Sequence, residues 1–496
     1  MTGPVAIALP TLQLSRDEES AIADMTARLG TYQALNQDKT LYYEGKKKRE
    51  DLRIAIPPTL QGIHSVLGWP AAAVDCIDER LDFEGWDVDS DTDEFDLETV
   101  YLENDLDVES QTANLDALLY GTAFAAVSTG QAGTADPDLM VTVESPMNMT
   151  VIRDARTRRV ARGFCQYVDD SDPRYANSDT HALPSGGALF LPNETLHLGC
   201  KDGRWTLEHR DQHMLGHVAI AQLVNKPRSS DRGGRSEITQ VVRSLTQNGM
   251  RTMIAAEVAR EYLVAPLRAV LGAKEDMFFG ADGKPLPAWK SYMGRLMALE
   301  RDEYGDLPDI KQFPGASLDS YFGLMRTLTQ ILSSEIAVPP AYLGFETDNP
   351  TSADAIRSME ARLVKRAERR QRGFGKAWTE VARLAIMVRE GTNKLPDGAM
   401  KIRPKWRDAS TPTDAAVADS TTKLVGQKVL PAQSRVTWDR LRISRADQVQ
   451  IAKDLRKEAN QAVVAGLRGS ADAARGDATV TDLSERRTAD GGNASQ

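Results

Sequence analysis

Closely spaced carboxylates are the residues of this sequence whose types and spacing most resemble a chemical site. Four aspartates alternate with other residues and a glutamate holds the twelfth position, in the pattern of an EF-hand calcium loop: Asp87, Asp89, Asp91, Asp93 and Glu98. The sixth position of such a loop is glycine because the chain turns sharply there, whereas this sequence has Thr92. The pattern therefore favours an acidic surface loop over a calcium site.

Three histidines, His209, His213 and His217, recur at every fourth residue, and on a helix they would align as metal ligands. The residues between them, including Gly216, are typical of a turn between strands, which would scatter the imidazoles. The sequence has no phosphate-binding loop, no Gly-x-Ser-x-Gly motif and no His-Glu-x-x-His pair. We therefore expect no catalytic residues, no metal and no cofactor. A metal-dependent DNA-processing enzyme that uses the acidic cluster 87–98 is the alternative.

Basic residues recur along a long helical segment, interleaved with apolar ones: Arg357, Arg362, Lys365, Arg366, Arg369, Arg370, Arg372 and Lys376. The simpler interpretation is a solvated face whose cations pair with Glu360 and Glu368 at helical spacing. The alternative is contact with DNA or with an acidic neighbouring subunit.

Length, charge and cysteine content narrow the class of protein. A chain of 496 residues is too long for one core, since single cores rarely exceed roughly 250–300 residues. The net charge of −10 argues against a broad basic face that grips nucleic acid. Three cysteines without CxxC spacing indicate neither a disulfide framework nor a zinc site, and no stretch is apolar enough for a membrane span. We expect a cytoplasmic protein of several units.

The elements that must position these residues fall into an α+β first half and a helical second half. The periodicity predicts helices at 18–41, 69–81 and 94–121, followed by short strands at 123–127, 139–144, 149–152, 159–167, 188–191, 195–198 and 205–209. Further helices are predicted at 236–263, 318–335 and 353–390, the last capped by Thr351 or Ser352. Helical pieces follow at 414–425, 432–441 and 445–467, and residues 468–496 have too few apolar residues to fold.

The helices 236–263 and 318–335 are long, strut-like elements that flank one small insert. At about 1.5 Å per residue the first would reach roughly 40 Å. Their apolar residues should need neighbouring subunits for burial: Val242, Leu245, Met253, Ile254, Leu324, Leu328, Ile331 and Leu332.

The order of these elements and several phrases resemble the portal proteins of tailed bacteriophages, of the siphophage type found in actinobacteriophages. The matching phrases span about residues 30 to 400: Leu41–Gly45, Ile56–Pro58, Gly68–Pro70, Val74–Asp75, Leu81–Gly85, Asn225–Arg228, Gly234–Ile238, Pro339–Gly344 and Thr351–Ile356. No phrase is a catalytic fingerprint, and their order and spacing carry the resemblance.

The resemblance implies a phage portal fold assembled as a ring, usually of twelve subunits, around a central tunnel. Carried onto this chain, residues 1–234 form the N-terminal part of the wing, and residues 353–409 its long helix and following strand. Residues 235–263 and 318–336 are the paired stem helices, 264–317 the clip and 337–352 the tunnel loop. Residues 410–467 are the crown, and 468–496 a disordered tail.

The implied function is a structural conduit, without enzymatic activity, for packaging and ejection of double-stranded DNA. The DNA-facing residues would be those of the tunnel loop: Gly344, Phe345, Glu346, Thr347, Asp348, Asn349, Thr351 and Ser352. The implied partners are other copies of the chain, the terminase large subunit, the head-tail adaptor, the major capsid and scaffolding proteins, and DNA without sequence specificity. The implied location is the head-tail junction of the virion, after assembly in the host cytoplasm. The other alternative is a different minor head protein.

Overall fold

The computed structural model describes residues 13–48, 65–88, 94–130, 133, 135–168, 184–264, 268–271, 309–312, 317–344, 353–410, 412–443 and 447–465. The chain divides into two units, Met1–Ser410 and Thr411–Gln496. None of the helices in these ranges is both long and apolar enough to cross a membrane.

Helix α1, Arg16–Tyr43, begins with a reciprocal cap. The backbone N–H of Glu18 donates to Ser15 Oγ at 3.3 Å, and the N–H of Ser15 donates to Glu18 Oε2 at 2.8 Å. Two donors that would otherwise lack partners at the helix start are thereby satisfied. One face of α1, including the fully buried Met25, packs on a β-sheet. The predicted helix 18–41 is confirmed and is slightly longer.

The predicted single helix 94–121 is wrong, because the chain forms two helices there. After α2, Trp69–Asp78, and strand β1, Phe83–Asp87, the chain forms α3, Leu97–Glu103, and α4, Leu106–Tyr120. At the break Asp105 has a φ of 46°. The Asn104 amide donates to the Leu139 carbonyl oxygen at 2.9 Å and accepts from the Val141 N–H at 2.7 Å. The helix ends where a strand offers these partners.

Two antiparallel sheets pack face to face in the N-terminal part. One has the order β3-β2-β9, from Leu139–Glu144, Thr122–Thr129 and Ile220–Val224. The other is a five-stranded meander, β4 to β8: Met149–Arg153, Val160–Val168, Pro184–Phe190, Thr195–Lys201 and Arg204–Asp211. Phe124 and Ile220 of the first pack on Cys165 and Ala188 of the second. The sequence prediction missed β9, which pairs with β2 across about a hundred residues.

Helices α5, Gln240–Val264, and α6, Asp319–Ile336, pack against each other, with the antiparallel strands β10, Arg268–Leu271, and β11, Asp309–Gln312, between them in the chain. The predicted start of α5 at Ser236 is four residues early. Thr239 Oγ1 accepts from the Val242 N–H at 3.3 Å, whereas the Glu237 N–H donates to the Leu118 carbonyl oxygen at 2.9 Å. The hydrogen bond from Glu237 to Leu118 holds the residues before Thr239 outside the helix. Most of the predicted clip lies outside the described residues.

Helix α7, Ala353–Glu390, has 38 residues and passes through the main core, with the predicted bounds. Phe374 and Trp378 are fully buried, and the Trp378 ring stacks on Phe83 at 4.9 Å between centroids. Strand β12, Arg403–Trp406, pairs antiparallel with β1. The α+β class is confirmed.

The second unit is helical in its described part. It contains α8, Asp414–Gly426, α9, Arg435–Arg440, and α10 at residues 447–465. Thr413 and Ser434 cap α8 and α9 through their hydroxyl oxygens. The predicted helical pieces exist, with α9 shorter than expected, and the predicted disordered tail lies outside the described residues.

Candidate functional site

The predicted tunnel loop, 337–352, starts just after α6 and contains a short 3₁₀ turn, Pro340–Leu343. Gly344 ends this turn with a φ of 84°, a backbone conformation that favours glycine. The remaining predicted loop residues lie outside the described part of the chain: Phe345, Glu346, Thr347, Asp348, Asn349, Thr351 and Ser352. The structure therefore describes the root of the loop and the two helices it joins.

Two arginines of α7 hold the C-terminus of α6 at this root. Arg362 Nη1 donates to the Ser334 carbonyl oxygen at 2.9 Å, and Arg366 Nη2 donates to that of Glu335 at 2.7 Å. The last carbonyls of a helix lack partners inside the helix and carry partial negative charge, so guanidinium groups stabilise them. The two helices that flank the loop are thereby tied together just before the chain leaves α6.

A second group of polar contacts fixes the 3₁₀ turn to α7. The Tyr342 hydroxyl donates to Glu360 Oε1, and this bond is the main reason why the pKa of Tyr342 is raised. Arg80 Nη2 lies 3.5 Å from the same Glu360 oxygen, and its Nη1 donates to the Ala409 carbonyl oxygen at 2.9 Å. The 3₁₀ turn is thus connected through Glu360 to Arg80, which follows α2, and to the end of the first unit.

A buried ion cluster joins α7 to the segment that precedes α5. Glu237 is 4% exposed, and its Oε1 accepts from Arg370 Nη2 at 2.7 Å and from the Asn225 amide at 3.0 Å. Lys226 Nζ donates to the other oxygen at 2.5 Å. Burial alone would raise the pKa of Glu237, but the charges of Lys226 and Arg370 outweigh it and hold that pKa below its usual value. The carboxylate stays ionised and ties the segment before α5 to α7.

Seven basic residues of α7, between Arg362 and Lys376, divide into three groups. Arg370 is buried on Glu237, and Arg362 and Arg366 bind α6, so the predicted uniform solvated face is wrong for these three. Lys365 pairs with Glu368 at 2.9 Å, as predicted. Exposed guanidinium and ammonium groups without an acidic partner in the described ranges remain on one face: Arg369, Arg372 and Lys376.

The possible metal sites of the sequence find no support in the described residues. Strand β8 ends at Asp211, so His209 lies on a strand and His213 and His217 follow it, as the turn interpretation predicts. The His209 ring stacks on His197 of β7 at 5.9 Å between centroids. Positions 89–93 of the acidic loop lie outside the described part. In the part that is described, no three His, Cys, Asp or Glu side chains could together hold a metal ion.

The apolar residues of α5 and α6 are only partly exposed. Five that were expected to need neighbouring subunits are buried within the chain: Val242, Leu245, Ile254, Leu328 and Leu332. All of these except Ile254 belong to the main core. Leu324 and Ile331 remain 49% and 48% exposed, and Phe322, which the sequence analysis missed, is 61% exposed. Leu324 and Ile331, seven residues apart, form the exposed apolar face of α6, whereas Phe322 lies on the opposite side of the helix near its start.

Two solved structures resemble the fold distantly. The neck of an empty GTA particle computed with C6 symmetry has a TM-score of 0.37 and 14% identity, covering 73% of this chain and 85% of that chain. The neck of a native GTA particle computed with C12 symmetry has a TM-score of 0.36 and 13% identity, covering 75% of this chain and 89% of that chain.

Sequence comparison gives much closer relatives. The portal protein of Mycobacterium phage D29 is 32% identical over 444 residues, which cover 87% of this chain and 86% of the relative. The portal protein of Mycobacterium phage L5 is 30% identical over 439 residues, which cover 86% of this chain and 85% of the relative. Residues 20–462 match the family model described as "Phage portal protein, SPP1 Gp6-like". This protein therefore belongs to the SPP1 Gp6-like family of phage portal proteins, which are structural proteins and not enzymes.

Proposed function

We propose that this portal protein assembles into a closed ring through which double-stranded DNA is packaged into the capsid and later ejected. The observation that carries the ring is the exposed apolar face of α6, Leu324 and Ile331, on a helix whose other side is already buried. Two large apolar side chains on one exposed side of a helix mark a surface that another protein covers. Repetition of one heterologous contact until it closes covers this face in every subunit.

The proposed ring places the parts of the chain as the family resemblance implies. Residues 1–234 and 353–409 form the wing, 235–263 and 318–336 the stem, 264–317 the clip and 410–467 the crown. The structure supports α5 at Gln240–Val264 as the helical part of the first stem segment. The boundary between the two units at Ser410 agrees with a separate crown.

The tunnel loop, 337–352, is proposed to line the channel and to contact DNA without reading its sequence. Its root supports this role, because Arg362 and Arg366 hold α6 and α7 together where the loop leaves them. Glu346 and Asp348 would repel phosphates, so that DNA slides and is not trapped. The proposed partners are the terminase large subunit, the head-tail adaptor and the major capsid and scaffolding proteins. The proposed location is the head-tail junction of one capsid vertex, after assembly in the host cytoplasm.

Negative-stain imaging and light scattering of the purified chain test the ring. We expect rings with an axial hole, and we expect Leu324→Ser combined with Ile331→Ser to shift the chain to smaller species, because the apolar contact is lost. Met214→Ser removes a side chain that is 67% exposed elsewhere and should leave the rings intact. A wild-type chain that stays monomeric at high protein concentration would contradict the proposal.

A further inference from the structure

The exposed cations of α7 surround a glycine that the chain itself does not require. Arg369, Arg372 and Lys376 are spaced three and four residues apart, so they share one helix face, and Gly373 is exposed beside them. A Cβ built at Gly373 would meet only the Val224 carbonyl oxygen, at an ordinary contact distance of 3.9 Å. By contrast, a Cβ at Gly375 would lie 2.7 Å from the Pro404 side chain. Packing within the described chain therefore explains Gly375 and leaves Gly373 unexplained.

A glycine inside a helix costs about 0.5–1 kcal/mol relative to alanine. Gly373 stands in the interior of a 38-residue helix, where no turn requires it. The missing side chain leaves a shallow surface that another element can approach closely. The flanking cations make that surface selective for an acidic partner.

The corner between α3 and α4 has the complementary composition. Leu102 and Val108 are 65% and 56% exposed there. Glu103 and Asp107 are exposed beside them and have no cationic partner among the described residues. The corner thus carries two apolar side chains flanked by carboxylates, which matches a shallow helix face flanked by cations.

We infer that the face of α7 around Gly373 receives the α3–α4 corner of a second copy of this chain. Leu102 and Val108 would pack over Gly373, while Glu103 and Asp107 pair with Arg372 and Lys376. No ion pair joins the two surfaces within the described part of one chain, so each is free for a neighbour. The two surfaces differ, so the contact is heterologous and can repeat around a ring. This inference rests on the proposed ring and names one contact of it.

Charge reversal on each side, followed by recombination, tests the contact in the full chain. The face variant is Arg372→Glu with Lys376→Glu, and the corner variant is Glu103→Lys with Asp107→Lys. Each should raise the protein concentration at half-assembly by roughly tenfold or more, because like charges then meet across the contact. The variant with all four changes restores opposite charges and should assemble nearly as the wild type does.

The control for charge is Lys201→Glu with Arg204→Glu, two exposed cations at the β7–β8 turn. It changes the net charge by the same amount as the face variant and should leave assembly unchanged. Recovery in the fourfold variant excludes misfolding as the cause of the single-sided losses. Single-sided variants that assemble like the control would overturn the contact, as would a fourfold variant that is no better than either one.

Gly373→Ala tests the close approach separately from charge. It should leave the thermal stability of the unassembled chain unchanged or higher, because alanine favours the helix, and yet weaken assembly. Gly30→Ala, at an exposed position inside α1 with nothing within 4 Å of the added Cβ, is the matched control. Normal assembly of Gly373→Ala contradicts the inference.

The readouts separate this contact from the ring itself. Wild-type rings with unaffected variants contradict only the contact, whereas a monomeric wild type contradicts the ring and the contact together. A face variant that assembles normally but packages less DNA would assign the α7 cations to DNA and also overturn the contact.

Discussion

At the scale of single residues, the buried carboxylate of Glu237 differs in kind from the exposed carboxylates of the surface. Its two cationic partners come from separate parts of the chain, Lys226 before α5 and Arg370 on α7. Taking a carboxylate out of water is costly, so Glu237 is tolerated only while both partners stay in place. Loss of one member of the cluster should therefore cost more than loss of any exposed ion pair.

Glu237→Ala should lower the free energy of unfolding by about 3–5 kcal/mol, because Arg370 is left buried without its counter-ion. Urea unfolding followed by circular dichroism measures the change. Lys365→Met, which removes the exposed pair with Glu368, is the control and should cost about 0–1 kcal/mol. Equal losses in the two variants would mean that the buried ion cluster of Glu237 stabilises the fold no more than an exposed ion pair does.

The depressed pKa of Glu237 also predicts the direction of its pH dependence. The stabilisation is fully present above the ordinary glutamate pKa of 4.5 and is lost as the pH falls through the lower folded-state pKa. Glu237→Ala should therefore lose less stability than the wild type on acidification below that pH.

Asp78 predicts the opposite dependence of stability on pH. Burial, together with the charges of Asp75, Asp82 and Glu79, raises its pKa to about 7, and its Oδ1 has no hydrogen-bond partner in the described part of the chain. Because the folded state favours the protonated carboxyl, its contribution to stability is present below the ordinary pKa of 3.8 and is lost as the pH rises through about 7.

Asp78→Asn should therefore raise the free energy of unfolding at pH 8 by about 1–2 kcal/mol and have little effect at pH 4. Denaturant unfolding at the two pH values measures this difference. Asp419→Asn, at an exposed position on α8, is the control and should show no such gain. A gain of the same size at both pH values would argue against titration of Asp78.

At the scale of elements, contacts with α7 help to determine where α6 ends. Arg362 and Arg366 supply the hydrogen bonds that the last carbonyls of α6 lack, and the Ser333 hydroxyl donates to the Val338 carbonyl oxygen at 2.7 Å just beyond. Ala337 stands between them with a φ of 59°. The end of α6 is thus set by contacts with another helix as well as by the prolines that follow it.

Arg362→Met combined with Arg366→Met should speed amide hydrogen exchange in the last two turns of α6, because the helix end loses its stabilising donors. Exchange measured by mass spectrometry should change there and remain unchanged in α1. Lys376→Met, on the same helix but away from α6, is the control. Unchanged exchange at the end of α6 would show that the prolines alone are enough to end the helix.

At the scale of the whole molecule, the proposed channel depends on the residues between α6 and α7. Glu346→Lys with Asp348→Lys would set cations toward the DNA backbone and should slow or stall packaging, because each added cation neutralises a phosphate and releases its counter-ions. The amount of DNA in mutant procapsids relative to wild type is the measurement. Ring formation, checked by negative stain, should be unaffected, and Glu346→Gln with Asp348→Asn is the control. Normal packaging with normal rings would mean that this loop does not face DNA.

The sequence by itself determined the bounds of helix α7 and the family. Helix α7 has the predicted bounds, Ala353–Glu390, because apolar spacing near 3.6 and the glycine that follows are signals that the local sequence carries. The family resemblance likewise rests on the order of short phrases, which needs no structure, and the portal relatives confirm it.

Only the tertiary structure decided which residues of these helices are exposed and where some of them end. In the sequence Arg370 resembles the neighbouring basic residues of α7. It is buried because it pairs with Glu237, which lies 133 residues earlier in the chain. The helix predicted at 94–121 breaks because Asn104 finds Leu139 and Val141 on a strand. Val242 and Leu332 are covered within one chain because α5 and α6 pair, which leaves Leu324 and Ile331 for a neighbour. In each case the partner is distant in sequence, and a contact of that kind forms only when the chain folds.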